Sequence, residues 1–348
     1  MRPHLLTFTL ALVSLSVHAQ ENESYCALAT AQGRVQSALL LSPEAFASVG
    51  DPTAENRSAV AGVRGSLARM RQGRLANELA AAQCAAYQSK KRLGLRLASI
   101  ELQVERRGLT AQHAALRGAL VAAESHVGQE RKMLERQQAT LLDVRAAFDM
   151  RDRLKEKQVR AEQRLSFLAA HAPQENAALL PDVERAIADQ ARVNELGAKM
   201  QAESGWDVNM AVGVRRGLSD GTQSTFASVA LTRNFGAGAS QQAARDTNAL
   251  TARWLAAQED GPLQQLQRAR DAVAGAHAAG KTLHTGLLER RQTLRDTLGT
   301  VEGSDTAAAA RIARNLRIEI LLVDAELADS SARQSYLQEW RTLNEPQP

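Results

Sequence analysis

Residues 206–238, WDVNMAVGVRRGLSDGTQSTFASVALTRNFGAG, decide how this chain is read, because they carry its one clear strand signal amid helical composition. Trp206, Val208, Met210, Val212 and Val214 fall at every second position, the period of a strand that shows one face to an apolar medium. A second alternating run places Thr225, Ala227, Val229 and Leu231 on one face, and Gly217–Gly221 between the runs supplies turn residues able to adopt positive φ. The reading is a β-hairpin over 206–235 with strands of about 11 residues. A tilted strand of that length can cross the hydrocarbon of a bilayer, and a periplasmic sheet accepts it equally well.

Outward from this hairpin, the N-terminus carries Arg2, the apolar run Leu5–Val17, and Val17-His18-Ala19 ahead of Gln20, the pattern of a secretory signal with a small-residue cleavage site. Residues 1–19 are therefore expected to be removed. No other apolar run approaches the about 18 residues that a spanning helix needs, so membrane insertion would have to use strands. Aromatic residues make up 3% of the chain and proline is absent from Gly73 to His171, which is the composition of long helices and coiled coils and leaves little for a broad core. Basic and acidic residues, 43 against 38, are interleaved along these stretches, so they read as solvated helix faces and exclude a nucleic-acid site.

The chain also repeats itself. Gly65-Ser66-Leu67-Ala68-Arg69, followed by Gly73 and an Ala-rich run, parallels Val229-Ala230-Leu231-Thr232-Arg233, followed by Gly236, Gly238 and a second Ala-rich run. Ala31-Gln32-Gly33-Arg34-Val35 likewise matches Gln190-Ala191-Arg192-Val193. On this parallel residues 44–70 form a second, poorly patterned hairpin, with a turn at Asp51-Pro52 and with Phe46, Val63 and Leu67 as its strong β formers; a short helix over 27–41, stopped by Pro43, leads into it. Leu93, Leu97, Ile100 and Val104, then Leu116, Leu120, Ala123 and Val127, keep coiled-coil spacing. The chain must reverse to reach the second hairpin, and the reversal falls at Ala139–Asp143; the return leg breaks at Ala172-Pro173 and runs on to Glu203. In the second half a helix leaves Gly238, is interrupted at Asp260-Gly261-Pro262 and turns at Val301–Asp305 before a final helix with Ile312, Leu316, Ile320, Val323 and Leu327. The expected fold is mainly α with a small β part. A unit of short β-hairpin plus long α-helical, coiled-coil hairpin is duplicated, once over 20–203 and once over 204–343.

Chemistry-bearing motifs are few. Gly217-Leu218-Ser219-Asp220-Gly221 matches the G-x-S-x-G nucleophile elbow, but that motif needs a following helix, and here a strand follows, so it reads as a turn. The seven histidines show no metal-ligand spacing with one another or with cysteine. No catalytic, cofactor or metal site is read, and the chain is not expected to be an enzyme. Cys26 precedes the first hairpin and Cys84 follows it, at similar distances from the strand ends and on helices that should run side by side. In an exported protein they are placed to form a disulfide, which needs Cα atoms about 4.4–6.8 Å apart. The alternative is two unpaired cysteines in helix packing.

The layout resembles the TolC-like outer-membrane factor family. Three passages carry the resemblance: Arg192-Val193 to Trp206-Val208, Val229-Ala230-Leu231 to Gly236-Ala237-Gly238, and Leu141-Leu142-Asp143-Val144 leading to Leu165-Ser166-Phe167-Leu168. The chain departs from the family in having no proline in Asn234–Gly238, no glycine at the first tip and almost no aromatic girdle. The resemblance implies an outer-membrane duct subunit of a tripartite efflux or type I secretion system, a homotrimer that works with a periplasmic adaptor and an inner-membrane transporter. It also implies that Asp143, Glu302 and Asp305, at the two helical tips, meet their counterparts from other copies at a pore constriction; each is alternatively an ordinary helix cap. The rival function is a soluble periplasmic coiled-coil scaffold or adaptor. The cysteine pairing predicts no reactive thiol when the exported protein is unfolded without reductant, and a titration that finds two per chain overturns it.

Overall fold

The computed structural model describes residues 7–50, 58–170, 177–233 and 261–345, with scattered helical positions between 242 and 254. The elements are α1 (Thr7–Leu41), β1 (Glu44–Val49), β2 (Ser58–Ser66), α2 (Leu67–Glu135), α3 (Leu141–Ala170), α4 (Leu180–Ala202), a 3₁₀ turn, β3 (Trp206–Gly217), β4 (Gln223–Arg233), α5 (Pro262–Glu302) and α6 (Ala307–Asn344). The turn at Asp51-Pro52, the breaks at Ala172-Pro173 and Asp260, the passage Gly236–Gly238 and residues 1–6 of the expected signal lie outside the described residues. The fold is mainly helical with one small antiparallel sheet, and each hairpin is followed by helices that reverse direction. The chain divides into two units, Ser16–Leu93 with Pro181–Gln265, and Met1–Leu15 and Gly94–Leu180 with Leu266–Pro348.

The first unit holds the sheet, in strand order β1-β2-β3-β4 with every pair antiparallel. The two hairpins meet at β2 and β3, in register from Ser58 opposite Gly217 to Ser66 opposite Asn209. The turn between β3 and β4 is closed by Asp220, whose carboxylate accepts from the Thr222 N–H at 3.1 Å and hydroxyl at 2.9 Å, while Gly221 takes φ +66°. Helix α1 ends at Leu41, as Pro43 dictates, but it begins well before residue 27.

The first hairpin exists, yet β2 stops at Ser66 and not at Met70. Ser66 caps α2: its hydroxyl accepts from the Arg69 N–H at 3.1 Å and donates to Asp207 at 2.7 Å, and the same Asp207 oxygen accepts from the Ala68 N–H at 3.1 Å. Two of the orphan donors of the first turn are thereby satisfied, one of them from the other repeat. Leu67-Ala68-Arg69 is therefore helical, while its counterpart Leu231-Thr232-Arg233 remains strand.

Helices α1 and α2 then pack through small residues. A Cβ on Gly33 would stand 2.5 Å from that of Ala80, and one on Gly73 would stand 3.2 Å from the Ser37 carbonyl. Asn77 donates to the buried Ser37 hydroxyl at 3.0 Å. Further along the same seam Cys26 and Cys84 are joined, with Cα atoms 4.9 Å apart, and Tyr25 stacks on Tyr87 at 4.1 Å.

The second unit packs α2, α3 and α6 around Leu116, Ala119, Ala123, Leu154, Ile318 and Ala325. The first tip lies between Glu135 and Leu141. There the Gln137 N–H donates to the Leu134 carbonyl and the Gln138 N–H to that of Met133, a Schellman arrangement in which Gln137 stands at φ 59° where glycine is usual. At the second tip Thr306, and not Asp305, caps α6, accepting from the Ala309 N–H at 3.1 Å. Asp305 is one residue too early for that role.

The α1–α2 seam yields a test on two helical glycines of equal propensity. At Gly33 the overpacking cost of about 1–3 kcal/mol outweighs the helix-propensity gain, whereas at Gly94 a Cβ meets nothing within 4 Å and the gain of about 1 kcal/mol stands alone. Urea unfolding should rank G94A above wild type and G33A below it.

Candidate functional site

Cross-strand partners project to the same side, so the register sorts the sheet into two faces. One carries Ala45, Ala47, Ala59, Ala61, Val63, Val208, Met210, Val212, Val214, Ala227, Val229 and Leu231, with Thr225 among them and with Trp206, Arg233, Arg216 and Gln223 at its two ends. Met210, Val212, Val229 and Leu231 are each more than half exposed. The opposite face carries Glu44, Ser48, Arg64, Asp207, Asn209, Arg215, Ser224, Ser228 and Thr232, together with one aromatic pair. Phe46, Gly62, Gly213 and Phe226 form a single cross-strand row, and the two rings meet edge to face at 6.3 Å. A Cβ on Gly62 would run into the Val212 carbonyl and one on Gly213 into that of Ala61, with the Phe46 and Phe226 rings 3.1 and 2.9 Å away, so the glycines admit the facing strand's backbone as well as the rings. The G-x-S-x-G match sits in the β3–β4 turn, with no helix after it to form a nucleophile elbow.

The tip carboxylates have separate fates. Asp143, in the first turn of α3, accepts from the Thr140 N–H at 2.8 Å and hydroxyl at 2.7 Å, while its own N–H donates back to that hydroxyl at 3.3 Å. This is a reciprocal capping box. Arg311 of α6 donates to the same carboxylate at 2.5 Å. The Thr140 backbone N–H first, then its hydroxyl, then Arg311 hold the Asp143 carboxyl below the usual carboxylate range. Glu302, the last residue of α5, pairs with Arg317 at 2.5 Å. Asp305 is exposed in the linker and makes no ion pair among the described residues.

A fourth acid escapes the sequence reading. Glu130 of α2 is almost fully buried and takes two hydrogen bonds from Arg314, at 2.5 and 2.9 Å. Next to it His126 contacts Asn315 at 3.0 Å through Nε2. Arg311, Arg314 and Arg317 thus follow at intervals of three along α6 and serve Asp143, Glu130 and Glu302 in turn. The spacing itself was readable as R-x-x-R-x-x-R in residues 311–317. Its partners were not, since Asp143 and Glu130 lie 168 and 184 residues away in sequence. Among the described residues no group of three or more His, Cys, Asp or Glu side chains could hold a metal ion.

No protein-family model matches the sequence, and no curated protein does. Among solved structures, the chain is similar to a membrane protein of Pseudomonas aeruginosa, at 14% identity over 91% of this chain and 89% of that one, with a TM-score of 0.48. It is also similar to the outer membrane protein VceC of Vibrio cholerae, at 14% identity over 90% and 92% of the two chains with a TM-score of 0.46. The MtrE outer membrane channel of Neisseria gonorrhoeae in its open state matches at 13% identity over 93% and 85%, with a TM-score of 0.42.

The Asp143 geometry predicts a pH dependence. Its folded pKa is depressed, so its contribution to stability is present above the unfolded value and disappears as pH falls through the folded one. D143N should lower the unfolding midpoint near pH 7, and the gap to wild type should close in acid. A gap that stays constant from pH 7 down through the carboxylate range would mean that the carboxylate charge contributes nothing.

Proposed function

We propose that this chain is one subunit of a passive outer-membrane duct that carries solutes or polypeptide out of the cell. The observation that carries the reading is the sheet. It is built from both hairpins, carries an exposed apolar band across the middle of one face and mostly polar side chains on the other, and among the described residues its outer strands β1 and β4 each pair on one side only. A sheet with open edges cannot stand in hydrocarbon, because its unpaired N–H and C=O groups have no water to bind. Copies joined edge to edge remove the edges and put the apolar face outward, toward lipid, and the polar face inward. β3 and β4, of 12 and 11 residues, are long enough to cross; β1, of 6, is not by itself.

In this reading three copies close the barrel, and the helices after each hairpin wall a periplasmic tunnel that an adaptor and an inner-membrane transporter engage, for efflux or type I secretion. Residues 1–19 are the export signal, and residues 20–203 and 204–343 are the two repeats. Asp143 and Glu302 are already neutralised by arginines, so the carboxylate we assign to the inner mouth of the duct is Asp305. The staple between Cys26 and Cys84 suits an oxidising periplasm.

Fractionation tests the location: the protein should pellet with outer membrane and need detergent for release, and recovery from the soluble periplasm would return it to the scaffold reading. A second test separates the faces. Arg at Val212 should abolish assembly into the membrane fraction, at a cost of about 2–4 kcal/mol for a charge at mid-bilayer, while Arg at Asn209 on the other face should assemble. Equal tolerance at the two positions would rule out a sheet with one lipid-facing side.

A further inference from the structure

The apolar face has defined limits. Its cross-strand rows, centred on Val208, Met210, Val212 and Val214, contain no charged residue from any of the four strands. The next row toward the helices is Trp206 opposite Arg233, with the guanidinium over the indole at 4.8 Å. The next row toward the β3–β4 turn is Val49, Ala59, Arg216 and Gln223. Cationic side chains therefore bound the band at both ends, and the indole, more than half exposed, marks the helix side.

The spacing of these limits fits a bilayer. Ten residues separate Trp206 from Arg216, which is about 33 Å along a strand at about 3.3 Å per residue. Tilted by about 40°, as strands in membrane barrels are, the band stands about 25 Å high, the usual height of the lipid-facing zone. Bilayer interfaces carry phosphate anions at both levels, and an amphipathic indole is preferred there.

We propose that the two rows are the membrane boundaries of this protein: Trp206 and Arg233 engage phospholipid headgroup phosphates at the periplasmic interface, and Arg216 engages lipid phosphates at the outer interface. The occupant of the apolar face is the acyl region between them. All connections from the sheet to α1, α2 and α4 leave at the Trp206 end, so that end is the periplasmic one. This assignment rests on the duct reading and adds the depth at which the sheet sits.

The test uses the full-length, disulfide-bonded protein reconstituted into vesicles of phosphatidylcholine alone or mixed with phosphatidylglycerol. An environment-sensitive dye is placed at residue 212, 229 or 218, and nitroxide lipids carry the quencher at mid-chain or headgroup. Dyes at 212 and 229 should be quenched by the mid-chain nitroxide, and the dye at 218, in the turn, by the headgroup nitroxide or not at all. Water exposure at 212 in all vesicles would overturn the duct reading itself. Mid-chain quenching at both 212 and 218 would leave that reading standing and overturn the boundaries. For the headgroup contact, R233Q should lower the inserted fraction roughly fivefold in phosphatidylglycerol-containing vesicles, the change that about 1 kcal/mol per basic residue at an anionic surface produces. R233K should insert like wild type. An equal loss for R233Q in both vesicle types would mean that Arg233 acts in folding and would overturn its contact with the headgroup.

Discussion

Backbone pairing between β2 and β3 is the constraint on which the sheet and its joints to the helices depend. Nine residue pairs, from Ser58–Gly217 to Ser66–Asn209, make one sheet out of two hairpins that lie far apart in sequence. A lone two-stranded hairpin is marginal in water, and each hairpin gains from the pairing a partner whose N–H and C=O groups it would otherwise leave exposed. The same pairing brings Asp207 to the first turn of α2, where it completes the cap that Ser66 begins. Strand pairing and helix capping thus share residues at this joint, and α2, the longest of the described helices, starts where β3 supplies part of its cap.

A sheet exposed on both faces has little burial to stabilise it, so the order around it comes from elsewhere. The α1–α2 seam replaces bulky interdigitation with close approach: Gly33, Ala76 and Ala80 let the backbones come together, where dispersion is dense although each side chain is small. The Cys26–Cys84 bond closes this seam across a separation of 58 residues, which in the chain-entropy model amounts to about 4 kcal/mol against the unfolded ensemble. That stabilisation falls on the hairpin with the fewer β formers.

At the tips the governing effect is charge neutralisation. Arg314 lies over a carboxylate that is 1% exposed, and removing either partner would leave a buried charge unpaired, which is costly in a low dielectric. Arg311 and Arg317 serve carboxylates closer to solvent, where a pair contributes less and acts mainly on geometry. The capping box at Thr140 and the left-handed Gln137 together turn the chain without glycine.

The sequence by itself determined whatever depends on neighbours within a few residues. The period of two over 206–214 and 225–231, the long proline-free stretch, and the reversals near 139–143 and 301–305 are local signals; the strands and helices stand there, while the first tip, at 136–140, comes about three residues earlier than read. Only tertiary structure decided where β2 ends, because the cap that stops it is shared with Asp207, 141 residues away from Ser66. It likewise decided that Asp143 and Glu302 are paired while Asp305 makes no ion pair among the described residues, since an arginine at intervals of three specifies a helix face but not which acid lies opposite. Periodicity is written along one chain, whereas a cap or an ion pair belongs to two surfaces and exists only once packing has set them at hydrogen-bond distance.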